Sequence, residues 1–558
     1  MIIDPDEIFL DAYNLPAFDR QQFEGELEQP IKKSAVFLLA AVFAVIALVF
    51  FGRAYYLQMV NGQTLAARGA NNTLRHTKLF PERGVIYDRR GQELVWNNPD
   101  RTYLPTAGLA HLVGYVGYPS TAELAAYNFD PRELIGRDGV EKTYNQRLLG
   151  QKGVLIEEVD AYGEIQSSHS LNSPQAGESL YLSIDARWQN KLFDLIKTLA
   201  RNRGFTGGAG VIIDVTNGEL LTLVSYPEYE PQIIARGDDQ TAIKSWFADP
   251  AKPFLNRAVA GLYAPGSIIK PIIAVGALNE GVIDPAKKIT SLGALTLPNP
   301  YVPDQPSIFR DWKAHGATAM REALAVSSDV YFYEVGGGFE DQPGLGIARI
   351  DQYARAFGLG APTGINWPTE QSGVIPTPDW KAELFPADPL WRVGDTYHTA
   401  IGQYGFQVTP LQMARAIAAI ANGGRLVTPT VLAASSTIIV PEPRLIEQPI
   451  KPEIFQIVRE GLRLAVTNGT AGGLNVPYVK VAAKTGTAEL GTAKEAVNSW
   501  VIGFFPYNRP RYAFAITMER GHRENTIGGV FIMRQFFDWL AATTPEYLQD
   551  VSQVDATD

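Results

Sequence analysis

Hydrophobic and polar positions divide this chain into stretches of unlike pattern. Between Lys33 and Arg53 lie nineteen uncharged residues, Ser34 to Gly52, and Ala35 to Phe51 are all apolar. That length nearly spans a hydrocarbon core of about 30 Å, and no polar face interrupts it, so the pattern predicts a transmembrane helix over residues 34–52. A cleaved signal peptide fits poorly, because 33 residues, many of them acidic, precede the segment and no A-x-A site follows it. Tyr55 and Tyr56 read as interfacial residues. Later apolar runs are short and broken by Gly, Pro or charge, so no second span is expected.

Past the span the apolar runs shrink to strand length. Val85-Ile86-Tyr87, set between Gly84 and Gly91, predicts a strand and turn. Arg83 and Asp88 flank it and are read either as a pair across the turn or as solvated surface charges. Asn97-Asn98-Pro99-Asp100 marks a further turn, and Pro174-Gln175-Ala176-Gly177 a linker before a strand at Leu180 to Ile184. Trp188, Leu192, Leu195, Ile196 and Leu199 recur at helical spacing and stop at Gly204. Ala209 to Asp214 and Glu219 to Val224 flank Thr216-Asn217-Gly218, a strong hairpin signal. A helical middle follows, and then alternating runs at Tyr478 to Ala483, Trp500 to Phe505 and Tyr512 to Met518, which suit antiparallel strands. The class is α+β. The implied division is a tail at 1–33, the span at 34–52, a membrane-proximal domain at 53–178, a main domain at 179–545 and an acidic polar tail at 546–558.

Composition narrows the function. The 558 residues are 46% hydrophobic and 19% charged, which fits a globular chain of two or three domains. A net charge of −10 argues against a nucleic-acid partner, since no basic stripe exists to displace counterions from phosphates. Zero cysteines excludes disulfides and thiolate metal sites, and the six histidines form no ligand spacing, so neither metal nor cofactor is expected. Arg20, Lys32 and Lys33 before the span against Arg53 and Arg68 after it favour a cytoplasmic N-terminus.

Three motifs carry the chemistry. Ser267-Ile268-Ile269-Lys270 is the only Ser-x-x-Lys in the chain and follows the turn Tyr263-Ala264-Pro265-Gly266, with Pro271 tolerated in a first helical turn. Spacing of three puts Ser267 and Lys270 on one helical face within hydrogen-bond reach. A serine hydroxyl is a poor nucleophile until a base takes its proton, and a lysine serves only when desolvation or a nearby cation lowers its pKa. Taken alone, the motif also reads as a capping serine beside a snorkelling lysine. Ser327-Ser328-Asp329 breaks an Ala-rich helical run, where Ser327 suits a proton relay and Asp329 a partner for Lys270 or for a substrate amide; capping is the plainer alternative. Lys484-Thr485-Gly486-Thr487 follows the run ending at Ala483. There Gly486 admits a ligand close to the backbone, Thr485 and Thr487 suit a carboxylate, and Lys484 is the cation expected to depress Lys270.

In this order and setting the motifs resemble those of class B penicillin-binding proteins, the membrane-anchored D,D-transpeptidases of bacterial peptidoglycan synthesis. The resemblance runs from the span to about residue 540 and includes Arg83-Gly84-x-Ile86-x-Asp88-Arg89, Gly136-Arg137-Asp138-Gly139-Val140-Glu141, Asn256-Arg257-Ala258, Val408-Thr409-Pro410-Leu411-Gln412 and Trp500-x-x-Gly503-Phe504. It implies a penicillin-binding, serine β-lactamase-like domain, an antiparallel sheet flanked by helices, behind a mostly β pedestal or dimerisation domain. It also implies that Ser267 is acylated with Lys270 as its base. Ser327 and Lys484 then relay the proton to departing D-alanine, and Thr485 and Thr487 hold the carboxylate. Backbone N–H groups of Ser267 and Thr487 form the oxyanion hole. The implied partners are peptidoglycan stem peptides, β-lactams, the cytoplasmic membrane with the catalytic domain outside it, and a glycosyltransferase of the elongation complex.

Asp at the third position of the second motif resembles the elongation type, penicillin-binding protein 2, as do Tyr226-Pro227-x-Tyr229 and Asp311-Trp312-Lys313. An ionised Asp329 only accepts hydrogen bonds and is expected to pair with Lys270. The chain departs from that type in four places. About ten residues stand between Asn97 and Gly108 where relatives insert a large head; Tyr404 replaces a usual glycine; Asn498 replaces a common histidine; and without cysteine, Asp304, Asp311 and His315 read as unliganded. Two other readings use the same motifs: a D,D-carboxypeptidase or β-lactamase, and a β-lactam sensor or scaffold without turnover. The long membrane-side segment and the 157 residues from Ser327 to Lys484 exceed what a small β-lactamase uses, and a short acidic tail offers a sensor no signalling partner.

Overall fold

The computed structural model describes residues 32–127, 129–159, 164–298, 302, 304–434, 441–491 and 494–548, with the backbone alone for 68–73. The tail expected at 1–33, apart from Lys32 and Lys33, and the tail expected at 546–558 from 549 on lie outside the described residues. Contacts divide the chain into two units, Met1–Lys78 with Val154–Asn172, and Leu79–Gly153 with Ser173–Asp558.

In the first unit a helix spans Lys33–Tyr55 and runs on through one π-turn at Tyr56–Val60. It outlasts the predicted segment because no proline follows Gly52 to stop it before Gly62. None of its side chains is buried, so its apolar surface faces outward all round, the condition of a helix solvated by lipid. Among the described residues it is the one helix long and apolar enough to cross a membrane. The unit also holds a three-stranded sheet of Leu74–Leu79, Gly153–Val159 and Ile165–Asn172, in that spatial order.

The second unit is built on a five-stranded antiparallel sheet. Its order is Leu220–Tyr226, Gly207–Asp214, Tyr512–His522, Ala496–Phe505 and Ala482–Leu490, which leaves the last as an edge strand. The first two form the hairpin expected around Asn217-Gly218. Every residue of Gly207–Asp214 is buried, because helices cover both faces. Ala186–Arg203 and Gly529–Thr543 pack on one face, and Gly204 closes the former in the left-handed conformation (φ 69°) that glycine adopts without strain. Pro410–Ala421 packs on the other. All twelve of its residues are buried, and Thr409 and Gln412 close its start reciprocally, at 3.1 and 2.9 Å.

Arg83 and Asp88 do not pair, nor are they solvated. Arg83 donates to Glu141 Oε2 (2.6 Å) and to its backbone carbonyl (3.0 Å), while Arg101 donates to Glu141 Oε1 (2.7 Å). Asp88 instead accepts backbone N–H groups of Arg90, Gln92 and Ala186. Glu141 is fully buried, and burial lowers the Arg83 pKa against the pull of Glu141. Asn97 donates to the Arg83 carbonyl and accepts from Arg101, so the strands Glu93–Asn98 and Asp100–Tyr103 close tightly at Pro99.

Removing one partner of a buried charge network strands the others, at a cost of about 3–5 kcal/mol. Glu141→Gln should therefore destabilise the second unit by that amount in urea unfolding followed by tryptophan fluorescence. A loss below about 1 kcal/mol would show that the two guanidinium groups find water instead.

Candidate active site

Ser267 lies in a 3-10 turn, Gly266–Ile269, that leads into the helix Lys270–Asn279. The turn is tighter than the α-start expected, and Pro271 explains it. Without an N–H, Pro271 cannot bond the Ser267 carbonyl at i+4, so the Lys270 N–H does so at i+3. The turn is wedged between two segments. Gly266 N–H donates to the Gly402 carbonyl (3.0 Å), and a Cβ on Gly402 would stand 2.3 Å from the Gly266 carbonyl. On the other side, a Cβ on Gly266 (φ 56°) would stand 2.8 Å from the Thr487 carbonyl, so the nucleophile and the third motif are backbone neighbours.

The lysines define the interior. Lys270 is fully buried and donates to the Ser327 carbonyl (2.9 Å) and to Asp329 Oδ1 (2.6 Å), with Ser327 Oγ at 3.4 Å. The expected Lys270–Asp329 pairing is thus present. The Ser267–Lys270 hydrogen bond is not: Ser267 Oγ, half-buried, has no such bond among the described residues. Lys484, also fully buried, lies 2.7 Å from Ser327 Oγ and donates to the Thr485 carbonyl (2.8 Å). Its pKa is pressed well down, first by burial and then by the charge of Lys270, against the opposing pull of Asp329.

Ser327 joins the two lysines. It sits between the helices Met320–Val326 and Asp329–Gly337 in the left-handed conformation (φ 60°, ψ 41°), which costs a non-glycine residue roughly 1 kcal/mol. That conformation turns both its carbonyl and its hydroxyl inward. Capping falls to Ser328, whose Oγ accepts from Tyr331 N–H (3.3 Å).

The third motif lies inside the strand Ala482–Leu490 and does not follow a strand, because pairing with Ala496–Phe505 begins only at Ala482. Thr485 Oγ1 lies 2.6 Å from Thr470 Oγ1, and Thr487 is exposed. A Cβ on Gly486 would stand 2.8 Å from Ile268 Cγ2 and 3.0 Å from the Pro265 carbonyl, so what approaches this glycine is the nucleophile's own turn. Trp500, paired with Gly486, donates to the Ala264 carbonyl (3.0 Å) and holds the same turn. Asn498 sits at a bulge in its strand, and its Oδ1 accepts Arg520 N–H.

Asp311 was legible as an unliganded acid and as part of Asp311-Trp312-Lys313, but not by what it does. Its Oδ2 accepts from Ser291 Oγ (3.0 Å), Ser328 Oγ (2.8 Å) and Val330 N–H (3.0 Å), and its Oδ1 accepts from Trp312 N–H (2.9 Å). Burial pushes its carboxyl up, but the N–H groups of Asp329 and Val330, the Ser328 hydroxyl and His315 more than offset this and hold it below the usual range. Asp311 thereby fixes the start of the helix that delivers Asp329. A lone Asp in a turn leaves no spacing pattern by which to find it. Among the described residues no His, Asp and Glu cluster suits a metal.

Residues 208–531 match the penicillin binding protein transpeptidase domain and residues 97–182 the penicillin-binding protein dimerisation domain. The peptidoglycan D,D-transpeptidase MrdA of Acinetobacter baumannii is 33% identical over 443 residues, 75% of this chain and 63% of that protein, so the match spans less than two thirds of that relative. Its namesake in Escherichia coli K12 is 32% identical over 472 residues, 78% of this chain and 71% of that protein. A solved complex of PBP2 with MreC from Helicobacter pylori aligns with a TM-score of 0.72 at 26% identity, covering 84% of this chain and 99% of that one. The chain belongs to the penicillin-binding transpeptidase family.

Asp329 raises the Lys484 pKa, so removing its charge lets Lys484 stay neutral to lower pH. Asp329→Asn should accordingly shift the acid limb of penicillin acylation to lower pH. Rates of labelling by a fluorescent penicillin between about pH 5 and 9 check this, and an unmoved limb would assign the titration to another group.

Proposed function

We propose that this chain is a peptidoglycan D,D-transpeptidase acting in wall elongation, anchored by its N-terminal helix with the second unit outside the cytoplasmic membrane. The observation that carries the reading is the convergence of Lys270 and Lys484 on the inward-turned Ser327, beside the turn that bears Ser267. In this mechanism Lys270 takes the Ser267 proton as Oγ attacks the carbonyl of the penultimate D-alanine. The Oγ–C bond forms, and backbone N–H groups of Ser267 and Thr487 receive the oxyanion. Ser327 and Lys484 pass a proton to the nitrogen of the leaving D-alanine. An amine of a second stem peptide then takes the acyl group.

A depressed pKa suits Lys484 to this part, because only a neutral amine can accept a proton before passing it on. The donor peptide lies along the free edge of Ala482–Leu490, whose unpaired backbone suits an added strand. Thr485 and Thr487 flank Gly486 there and take the terminal carboxylate. β-Lactams acylate the same serine. By analogy with the Helicobacter pylori complex, a scaffold of the MreC kind binds the chain, and a partner glycosyltransferase of the elongation complex is a further partner.

The test is covalent labelling of the detergent-solubilised chain with a fluorescent penicillin. Wild type should label, Ser267→Ala should not, and Lys270→Ala should label at least 100-fold more slowly, the scale of a lost general base. No labelling of the wild type would overturn the enzyme reading, whereas rapid release of the label would favour a hydrolase.

A further inference from the structure

The edge strand Ala482–Leu490 carries a carboxylate just past the third motif. Along this strand Lys484, Gly486 and Ala488 are buried, whereas Thr485, Thr487 and Glu489 alternate with them on the more open face. Of those three only Glu489 is charged. Its backbone is fixed inside the sheet, where it pairs with Val497, before the strand ends at Leu490.

The strand also sets where a donor peptide puts its residues. The terminal carboxylate is assigned to Thr485 and Thr487 and the oxyanion to the Thr487 N–H. A donor on the free edge therefore runs antiparallel to the strand, and its earlier residues extend toward residue 489. Each residue advances about 3.4 Å. The residue before the two D-alanines then passes Ala488, and a long side chain on it reaches Glu489 as diagonal neighbours on adjacent strands do.

Glu489 is open to such a ligand. It pairs with Lys494 at 2.5 Å, and the two side chains are 38% and 58% exposed. An exposed pair of this kind holds weakly, so an ammonium on a bound peptide can take the place of Lys494. The carboxylate also acts toward the second motif. Tyr333 lies on the helix that carries Asp329, and its pKa is raised by burial first and then by Asp329, Asp311 and Glu489. Glu489 is thus within electrostatic reach of the helix that delivers Asp329.

We propose that Glu489 is a specificity-determining residue for the donor, selecting a peptide whose residue before the two D-alanines bears an ammonium on its side chain. The inference rests on the transpeptidase reading above and adds to it the charge of the substrate. Thr485 and Thr487 hold the end that every donor shares, and Glu489 reads the residue by which donors differ.

The experiment uses the full chain in detergent and two synthetic donors that end in D-alanyl-D-lactate. They differ only in the preceding residue, lysine in one and its uncharged counterpart norleucine in the other. Each donor competes with a fluorescent penicillin for Ser267, and the slowing of labelling gives its relative rate of capture. Wild type should favour the lysine donor about three- to fivefold, and added salt should shrink the preference. Glu489→Gln should bring the ratio to about one, and Glu489→Lys should turn it against the lysine donor. Equal capture of the two donors by wild type would overturn the inference. So would a Glu489→Gln variant that captures both donors more slowly with the ratio kept, the mark of a structural role. Either result leaves the transpeptidase reading standing. A wild type that does not label would overturn that reading, and this inference with it.

Discussion

Two lysines buried from water converge on one serine hydroxyl, and the catalytic unit is arranged around what that costs. A buried ammonium without a partner is expensive, and two that face each other are worse. Asp329 relieves one of them at 2.6 Å, and the other is left with its pKa pressed down. This asymmetry separates their chemistry. One lysine is held by a carboxylate, and the other has its pKa pressed down by burial and by its neighbour, although the two side chains are the same.

Holding the asymmetry requires that Asp329 not drift, since a small shift would strand Lys270. Asp311 supplies the constraint by binding Ser328 and Val330 on either side of it, and Ser327 adds a strained backbone that its surroundings keep in place. The strain sits at the residue both lysines use. Relaxing Ser327 to an ordinary conformation would turn its carbonyl or its hydroxyl away from one of them. The network is therefore cooperative, and single substitutions within it should not add.

Much of this was legible in the chain. The span, the hairpin at Asn217-Gly218 and the three motifs rest on local spacing, and local spacing survives folding. What was not legible depends on partners far apart in sequence. Arg83 and Asp88 looked like a pair because they are near neighbours, yet Arg83 is bound to Glu141, 58 residues away. Asp311 showed as an acid without a ligand and within Asp311-Trp312-Lys313, and neither reading gave its role, because its work is done through hydroxyl and backbone groups.

Gly486 brings these threads together at the sheet edge. An unpaired edge strand is ordinarily a liability, since its free N–H and C=O groups invite foreign strands. Here the nucleophile's turn presses on the strand at Gly486 so closely that a methyl group would stand 2.8 Å from Ile268. The contact guards the edge on that face and at the same time sets Ser267 next to the backbone of Thr487. Any side chain at 486 would push the turn away from the strand and part the two backbones on which an oxyanion depends. The glycine is thus a constraint on catalytic geometry before it is an opening for substrate, and the free edge beside it stays available because the turn packs on the face of the strand.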